Sequence, residues 1–501
     1  MAGQGKRHCW ECRRRCLVCD FTEPACKRCS ASGIACPGYS HVKPTRIKWL
    51  APGKVVSRAR PRRNGLSPVP TLPLVDFPIL FDITTEALNS CIYTDLAPIH
   101  ELADGHNPHV YPLSTAILHR GATAPDYLRF GMLCMILSHR INRLRDGPQS
   151  KALTEKFYRY WGLAVCSLNE HLGREDARAG DMIIAGVMTL LITDVQNGTS
   201  LNWRCHLDGA YRLIMLRGGF SAVAGLRSLY PLLMSFWSLA VFGNTTSPAS
   251  NLSMTDAHLS ALPFLLDQYY AAPSPFQLCP LPLVAELVRI SHLRKKAFSF
   301  THSQPPPTPP TFNDTDPSLS LYDHDLSMSA SAILARIQAF SPDLWSASKS
   351  PSSINPSARQ DWLLIGQAYR AAAALYCLLS LQGLVDLDWR APFTALQHAR
   401  ELRVFLTAGL LSRRIKRFLI WPLVLLGVCA GAGEEGVREF VRHGLEELSC
   451  FVGSSVPLTA KRVLEAFWRS AETGWDRCFE RPYVFTAQIA VDTSPLYETS
   501  L

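Results

Sequence analysis

Seven cysteines fall between Cys9 and Cys36, at positions 9, 12, 16, 19, 26, 29 and 36, and they hold the densest metal-binding chemistry of the 501-residue chain. Thiolate suits zinc, which usually takes four ligands in a tetrahedron. Without Cys16 the cysteines form two equal halves, Cys9-x2-Cys12-x6-Cys19 and Cys26-x2-Cys29-x6-Cys36, six residues apart. No other omission gives this symmetry, and Gly33 stands in the second half where Cys16 stands in the first. Two zinc ions require eight coordination positions, and six thiolates fill eight only if two of them bridge both ions. The repeat therefore predicts a binuclear cluster of two zinc ions per chain. Its expected ligands are Cys9, Cys12, Cys19, Cys26, Cys29 and Cys36. A disulfide knot is the competing chemistry. Residues 1–12 hold no apolar run, so no secretory leader is expected, and the 16 cysteines belong in a reducing compartment.

The stretch Cys9–Tyr39 also carries Asp20 after the third ligand, Pro24 in the middle and a closing Pro37-Gly38-Tyr39. With these residues it resembles the fungal zinc binuclear cluster transcription factors. The resemblance implies that Cys9 and Cys26 bridge, that Cys12 and Cys19 complete one metal site, and that Cys29 and Cys36 complete the other. It further implies double-stranded DNA as partner and the nucleus as location. In that family the helix after the second cysteine enters the major groove. There a Lys or Arg, four residues past that cysteine, contacts a CGG-type triplet through guanine O6 and N7. Here the helix begins Arg13-Arg14-Arg15, and the fourth position is Cys16. A thiol cannot make the forked contact of Arg. The expectation is that Arg14 and Arg15 carry the contact, with Arg13 beside them, and that the triplet is read more weakly or altered. The alternative is a regulator of impaired DNA reading that acts through protein contacts. Cys16 could also exchange into the metal site through Cys16-x2-Cys19, serve as a redox-sensitive thiol, or be a tolerated substitution. Lys27 and Arg28 open the helix of the second half and are expected on phosphate, where they position the module without reading bases.

Charge agrees with a polyanion partner. The net charge is +10, and residues 1–63 hold fifteen basic residues against three acidic ones, which leaves the rest close to neutral. Within this region KP-x-x-x-KWLAPGKV, Lys43–Val55, resembles the acriflavine sensitivity control type regulators, and Lys48 in it is a further expected DNA contact. Arg58–Arg63 resembles a nuclear localisation run.

The remaining sequence must position and regulate this module. We assign residues 1–39 to the zinc cluster, 40–124 to a basic and then proline-rich linker, 125–480 to a helical regulatory domain, and 481–501 to a tail. Seven prolines between 68 and 112 exclude a coiled coil directly after the linker. Any dimer must then form through the later helical body, or the chain acts as a monomer. Apolar spacing predicts helices near 125–147, 151–172, 180–196, 201–217, 223–242, 282–300, 358–383, 392–411, 413–430, 436–451 and 457–474. No alternating strand runs are seen. Residues 301–328 and 341–357, rich in Pro and Ser, are expected as surface loops, disordered in part. The expected fold class is mostly α, a small irregular zinc cluster followed by a large all-helical regulatory domain. The longest apolar stretches, near 230–241 and 418–432, are too short or too interrupted to cross a membrane and read as buried helices.

Trp203, Leu207, Ala210 and Ile214 share one helical face, and the segment W…HL-x-GA…L…RGG around them resembles the fungal-specific transcription factor regulatory domain. His206 and Asp208 in it read as polar residues of an amphipathic helix. Such a domain implies an effector, a small molecule or a protein. No enzyme is expected, as HExxH, GxSxG and a P-loop are absent. Gly431-Ala432-Gly433-Glu434-Glu435-Gly436 fits GxGxxG, but two acids inside it and no surrounding βαβ pattern mark it as a helix–helix loop.

Overall fold

Apolar residues recur at helical spacing through most of the chain, and helices are what they form. The computed structural model describes residues 9–14, 19–33, 36–39 and 124–486, with breaks at 145–147, 175–179, 199–202, 225, 227–228, 272–278, 304–316, 350–355, 389, 432 and 471. Of the linker expected at 40–124, residues 40–123 lie outside the described residues, as do the residues beyond 486 and Arg15, Cys16 and Lys48. The chain divides into two units, residues 1–73 and 74–501. The first unit contains two short helices, α1 (Trp10–Arg14) and α2 (Lys27–Ala31).

The second unit runs through α3 (Asp126–Leu144), α4 (Pro148–Leu172), α5 (Asp181–Asn197), α6 (Trp203–Leu216), α7 (Phe220–Ala224), α8 (Tyr230–Thr245) and α9 (Thr255–Ala271). It continues with α10 (Leu281–Ser303), α11 (Pro317–Ala339), α12 (Pro342–Lys349), α13 (Pro356–Leu381) and α14 (Ala391–Leu411). It closes with α15 (Ile420–Cys429), α16 (Glu435–Val452), α17 (Val456–Ser470) and α18 (Trp475–Cys478). Among the described residues there is no strand, only an isolated bridge between Gln382 and Val385.

Two expected loops are largely helical. α11 covers 317–339 and α12 covers 342–349, within or beside the stretches read as loops at 301–328 and 341–357. Three of the prolines in these stretches are helix starts, and the others lie outside the described residues. Pro317, Pro342 and Pro356 each occupy the first helical position, where the missing N–H costs nothing. α11 then buries Leu326, Ala330, Ile333 and Ile337 at helical spacing. α9, with Pro263 inside it, has no counterpart among the expected helices. The segment expected as one helix at 223–242 divides into α7 and α8, and that at 413–430 begins as a 3-10 turn, Lys416–Leu419. The body also extends past 480, since Val484 and Phe485 are buried.

α13 lies centrally, packed against α10, α11, α12, α14 and α15. Its buried run Ala371–Ala374 keeps side chains short where neighbouring helices approach. One window of it is apolar and long enough to cross a membrane, but 72% of that window is buried within the fold. Beside it Trp421 of α15 stacks on Tyr369 at 5.7 Å, meets Phe242 edge-on at 5.5 Å and donates its indole N–H to Thr245 Oγ1 at 2.9 Å. Each such side chain contributes about 1.5–3 kcal/mol on burial. α16 is amphipathic, burying Val441, Gly444, Leu445, Leu448 and Val452 and presenting Glu435, Glu439 and Arg442 outward, where Arg442 pairs with both glutamates. It ends at Gly453, whose φ of 66° and whose close approach to the His139 ring leave room only for glycine. Around the expected GxGxxG lookalike the structure places α15 and α16, and Gly431 N–H bonds the Glu434 carboxylate across the loop.

Candidate metal centre and nucleic-acid interface

The sequence repeat is also a repeat of structure. α1 starts one residue after Cys9 and α2 one residue after Cys26, and each spans five residues. Cys12 N–H donates to Cys9 Sγ at 3.4 Å, and Cys29 N–H donates to Cys26 Sγ at 3.3 Å. Two residues past Cys19, Phe21 has φ 58°, and two past Cys36, Gly38 has φ 78°. Each half therefore folds as a CxxC turn opening a short helix, with a left-handed residue returning the chain.

This local geometry gathers the six expected ligands. Cys9, Cys12, Cys19 and Cys26 place their sulfurs within 4.8 Å of one another, and so do Cys9, Cys26, Cys29 and Cys36. Cys9 and Cys26 belong to both groups. Individual separations are 3.6 Å for Cys9–Cys26, 3.8 Å for Cys9–Cys29 and 3.6 Å for Cys12–Cys26. Zn–S bonds of about 2.3 Å at tetrahedral angles put thiolate sulfurs about 3.8 Å apart. The donor set fits zinc in number, softness and spacing. Five of the six cysteines are buried and form the core of this unit, and Cys36 packs on them with Phe21 and Tyr39.

Electrostatics also call for a cation. Burial pushes the Cys29 thiol up to about 12 and raises Cys9 and Cys12, so the crowded sulfurs keep their protons until positive charge is supplied. Cys19 goes the other way. Burial raises it, but backbone N–H groups of Cys9 and Phe21 and the Tyr39 hydroxyl outweigh this and lower it to about 6. Tyr39 lies 3.5 Å from Cys19 Sγ and donates its hydroxyl to Thr22 O at 3.0 Å. Asp20 is a brace. Its carboxylate accepts Thr22 N–H and Arg28 N–H, both at 3.0 Å, and bonds from Thr22 hold it down to about 2. It thereby joins the first half of the repeat to the start of α2. Sequence reading noted Asp20 and Tyr39 as part of a pattern but gave them no role. Their signal was position, directly after Cys19 and three residues past Cys36.

The expected DNA-contact residues are placed in part. Arg13 and Arg14 lie on α1, and Lys27 and Arg28 are exposed at the start of α2.

In the helical unit His206 Nε2 lies 3.3 Å from Asp194 Oδ2, a carboxylate buried at the end of α5. The pair joins α6 to α5, which gives the polar face of α6 a packing role. Asp208 sits on the same helix, half buried.

Residues 113–484 match the sequence profile described as the fungal specific transcription factor domain. The chain belongs to that family of fungal transcription factors. It is also 43% identical, over 98% of its length and 91% of the relative's, to the phomenoic acid biosynthesis cluster-specific transcriptional regulator of Leptosphaeria maculans. No solved structure matches. The chain is thus a transcriptional regulator of fungal type, with an N-terminal cysteine cluster able to hold metal ahead of a helical domain.

Proposed function

We propose that the protein is a zinc-dependent, sequence-specific DNA-binding regulator of transcription that works in the nucleus. The observation that carries this reading is the pair of sulfur quartets sharing Cys9 and Cys26, set in the most basic part of the chain. Two zinc ions would crosslink the two halves, which otherwise have almost no core. Cys12 and Cys19 would close one site and Cys29 and Cys36 the other. With the halves fixed, α1 presents Arg13 and Arg14, with Arg15 next in sequence, to a CGG-like triplet. Lys27, Arg28 and Lys48 neutralise phosphate, and Asp20 holds the start of α2 in register with the first half. By analogy with its Leptosphaeria maculans relative, the regulated genes are those of a biosynthetic cluster. The helical domain would answer to a small-molecule or protein effector, and any dimer would form through it.

Selection of bound duplexes from random DNA by the zinc-loaded full chain tests this. A recovered motif containing a CGG-like triplet is expected, and recovery of no motif would contradict it. Cys16 favours a second reading, a regulator that reads DNA poorly and acts through protein contacts, because it replaces the expected basic residue. Cys16→Arg should tighten binding to a CGG duplex about tenfold, the size of one added base contact. Unchanged affinity and preference would show that the position does not read bases.

A further inference from the structure

α8 is buried along most of its length, and its C-terminal carbonyls have no partner within the helix. The chain's last described segment, 474–485, meets that end. Trp475 donates its indole N–H to Thr245 O at 3.0 Å, and Tyr483 N–H bonds Thr246 O at 3.0 Å. Thr246 Oγ1 returns a bond to Tyr483 O at 2.8 Å. Arg294 of α10, 0% exposed, donates to Asn244 O at 3.3 Å and to Ser247 O at 2.9 Å. The same guanidinium bonds Asp476 Oδ1 at 2.8 Å, while Asp476 Oδ2 accepts Ala249 N–H at 2.7 Å. Trp475, Phe479 and Phe485 of the segment are buried, and Arg294 lies 5.7 Å and 6.0 Å from the ring centres of Tyr376 and Trp475.

The two halves of this ion pair differ. Arg294 is enclosed in the core and cannot leave. Asp476 sits on a four-residue helix with its side chain 37% exposed, on a segment entered through Gly474 at φ 102°. Departure of the segment would remove the bonds to Thr245 O and Thr246 O that it supplies to the end of α8 and leave a buried cation without its anion. Such an element is either seated or released, because its contacts support one another and converge on one ion pair.

We infer that residues 474–485 form a releasable clasp that sets the conformational state of the helical domain. Seated, the clasp caps α8 and neutralises Arg294; released, it uncovers both together with an apolar surface. The device is separate from the zinc cluster and does not depend on DNA reading.

Hydrogen exchange on the full-length protein tests it. Asp476→Asn keeps the shape and removes the charge. Amides of 474–485 and 244–249 should then exchange at least about tenfold faster and at one common rate, while α3–α5 keep wild-type protection. Uniform acceleration over the whole domain, or no acceleration at 244–249, would overturn the clasp. Should Asp476→Asn fail to fold, the wild-type protein in low denaturant carries the same test. The clasp and 244–249 should open together below the global transition, and opening only with it would overturn the inference.

Discussion

The two units achieve order by opposite means. In the N-terminal unit the buried core consists of five cysteines, with Cys36, Phe21 and Tyr39 packed against them. Its halves are too small to fold by burial, and we propose that metal ligation joins them. The helical unit has one continuous core running from Ala124 to Phe485. Buried charge within it is paired at Glu286, which accepts two bonds of 3.0 Å from Arg336. A metal-held unit should fail all at once when one shared ligand is lost, whereas a packed unit should weaken in proportion to the atoms removed.

The largest effect is expected from Cys26→Ala, which takes a sulfur from both quartets. Structural zinc contributes on the order of 10 kcal/mol to a small metal-held module. Bound zinc and DNA binding should both be nearly abolished, as read by metal analysis and gel shift, while the thermal transition of the helical unit stays in place. A fall of that transition by many degrees would break the contrast. Trp421→Ala is the converse. Removing this buried, stacked indole should cost the helical unit about 3–5 kcal/mol in a urea titration and leave zinc content unchanged.

Acid should separate the units more gently. Burial, with Arg204 nearby, lowers His258 from 6.5 to about 4. The unfolded chain takes up this proton below about pH 6.5 and the folded chain only near 4. The folded state therefore loses stability as pH falls through that window, by on the order of 3 kcal/mol at its foot. Chemical denaturation between pH 7 and 4 should show that slope, and His258→Gln should flatten it. The smallest effect is expected from Lys27→Ala. Losing one phosphate contact should lower the slope of log affinity against log salt by about one without altering the preferred sequence.

The units also differ in how legible they were. The clustering of the six cysteines could be read from spacing alone, because a metal site would fix both residue type and interval. In the body, α16 and α17 were visible because one face is apolar and the other charged. α11 and α12 were hidden behind prolines, which mark a helix start as readily as a loop. The clasp was hidden for a different reason. Arg294 and Asp476 are 182 residues apart, and neither carries a local pattern that names its partner. The same holds for Asp194 and His206, whose pairing depends on the packing of α5 against α6. Local chemistry could be read from the sequence, but long-range pairing could not.

The measurement that tests the account most directly is the zinc-to-protein ratio of the purified full-length chain, by elemental analysis beside amino-acid quantification. Two sulfur quartets sharing Cys9 and Cys26 predict two zinc ions per chain. A ratio near one would contradict the shared-ligand cluster and the DNA-reading geometry built upon it.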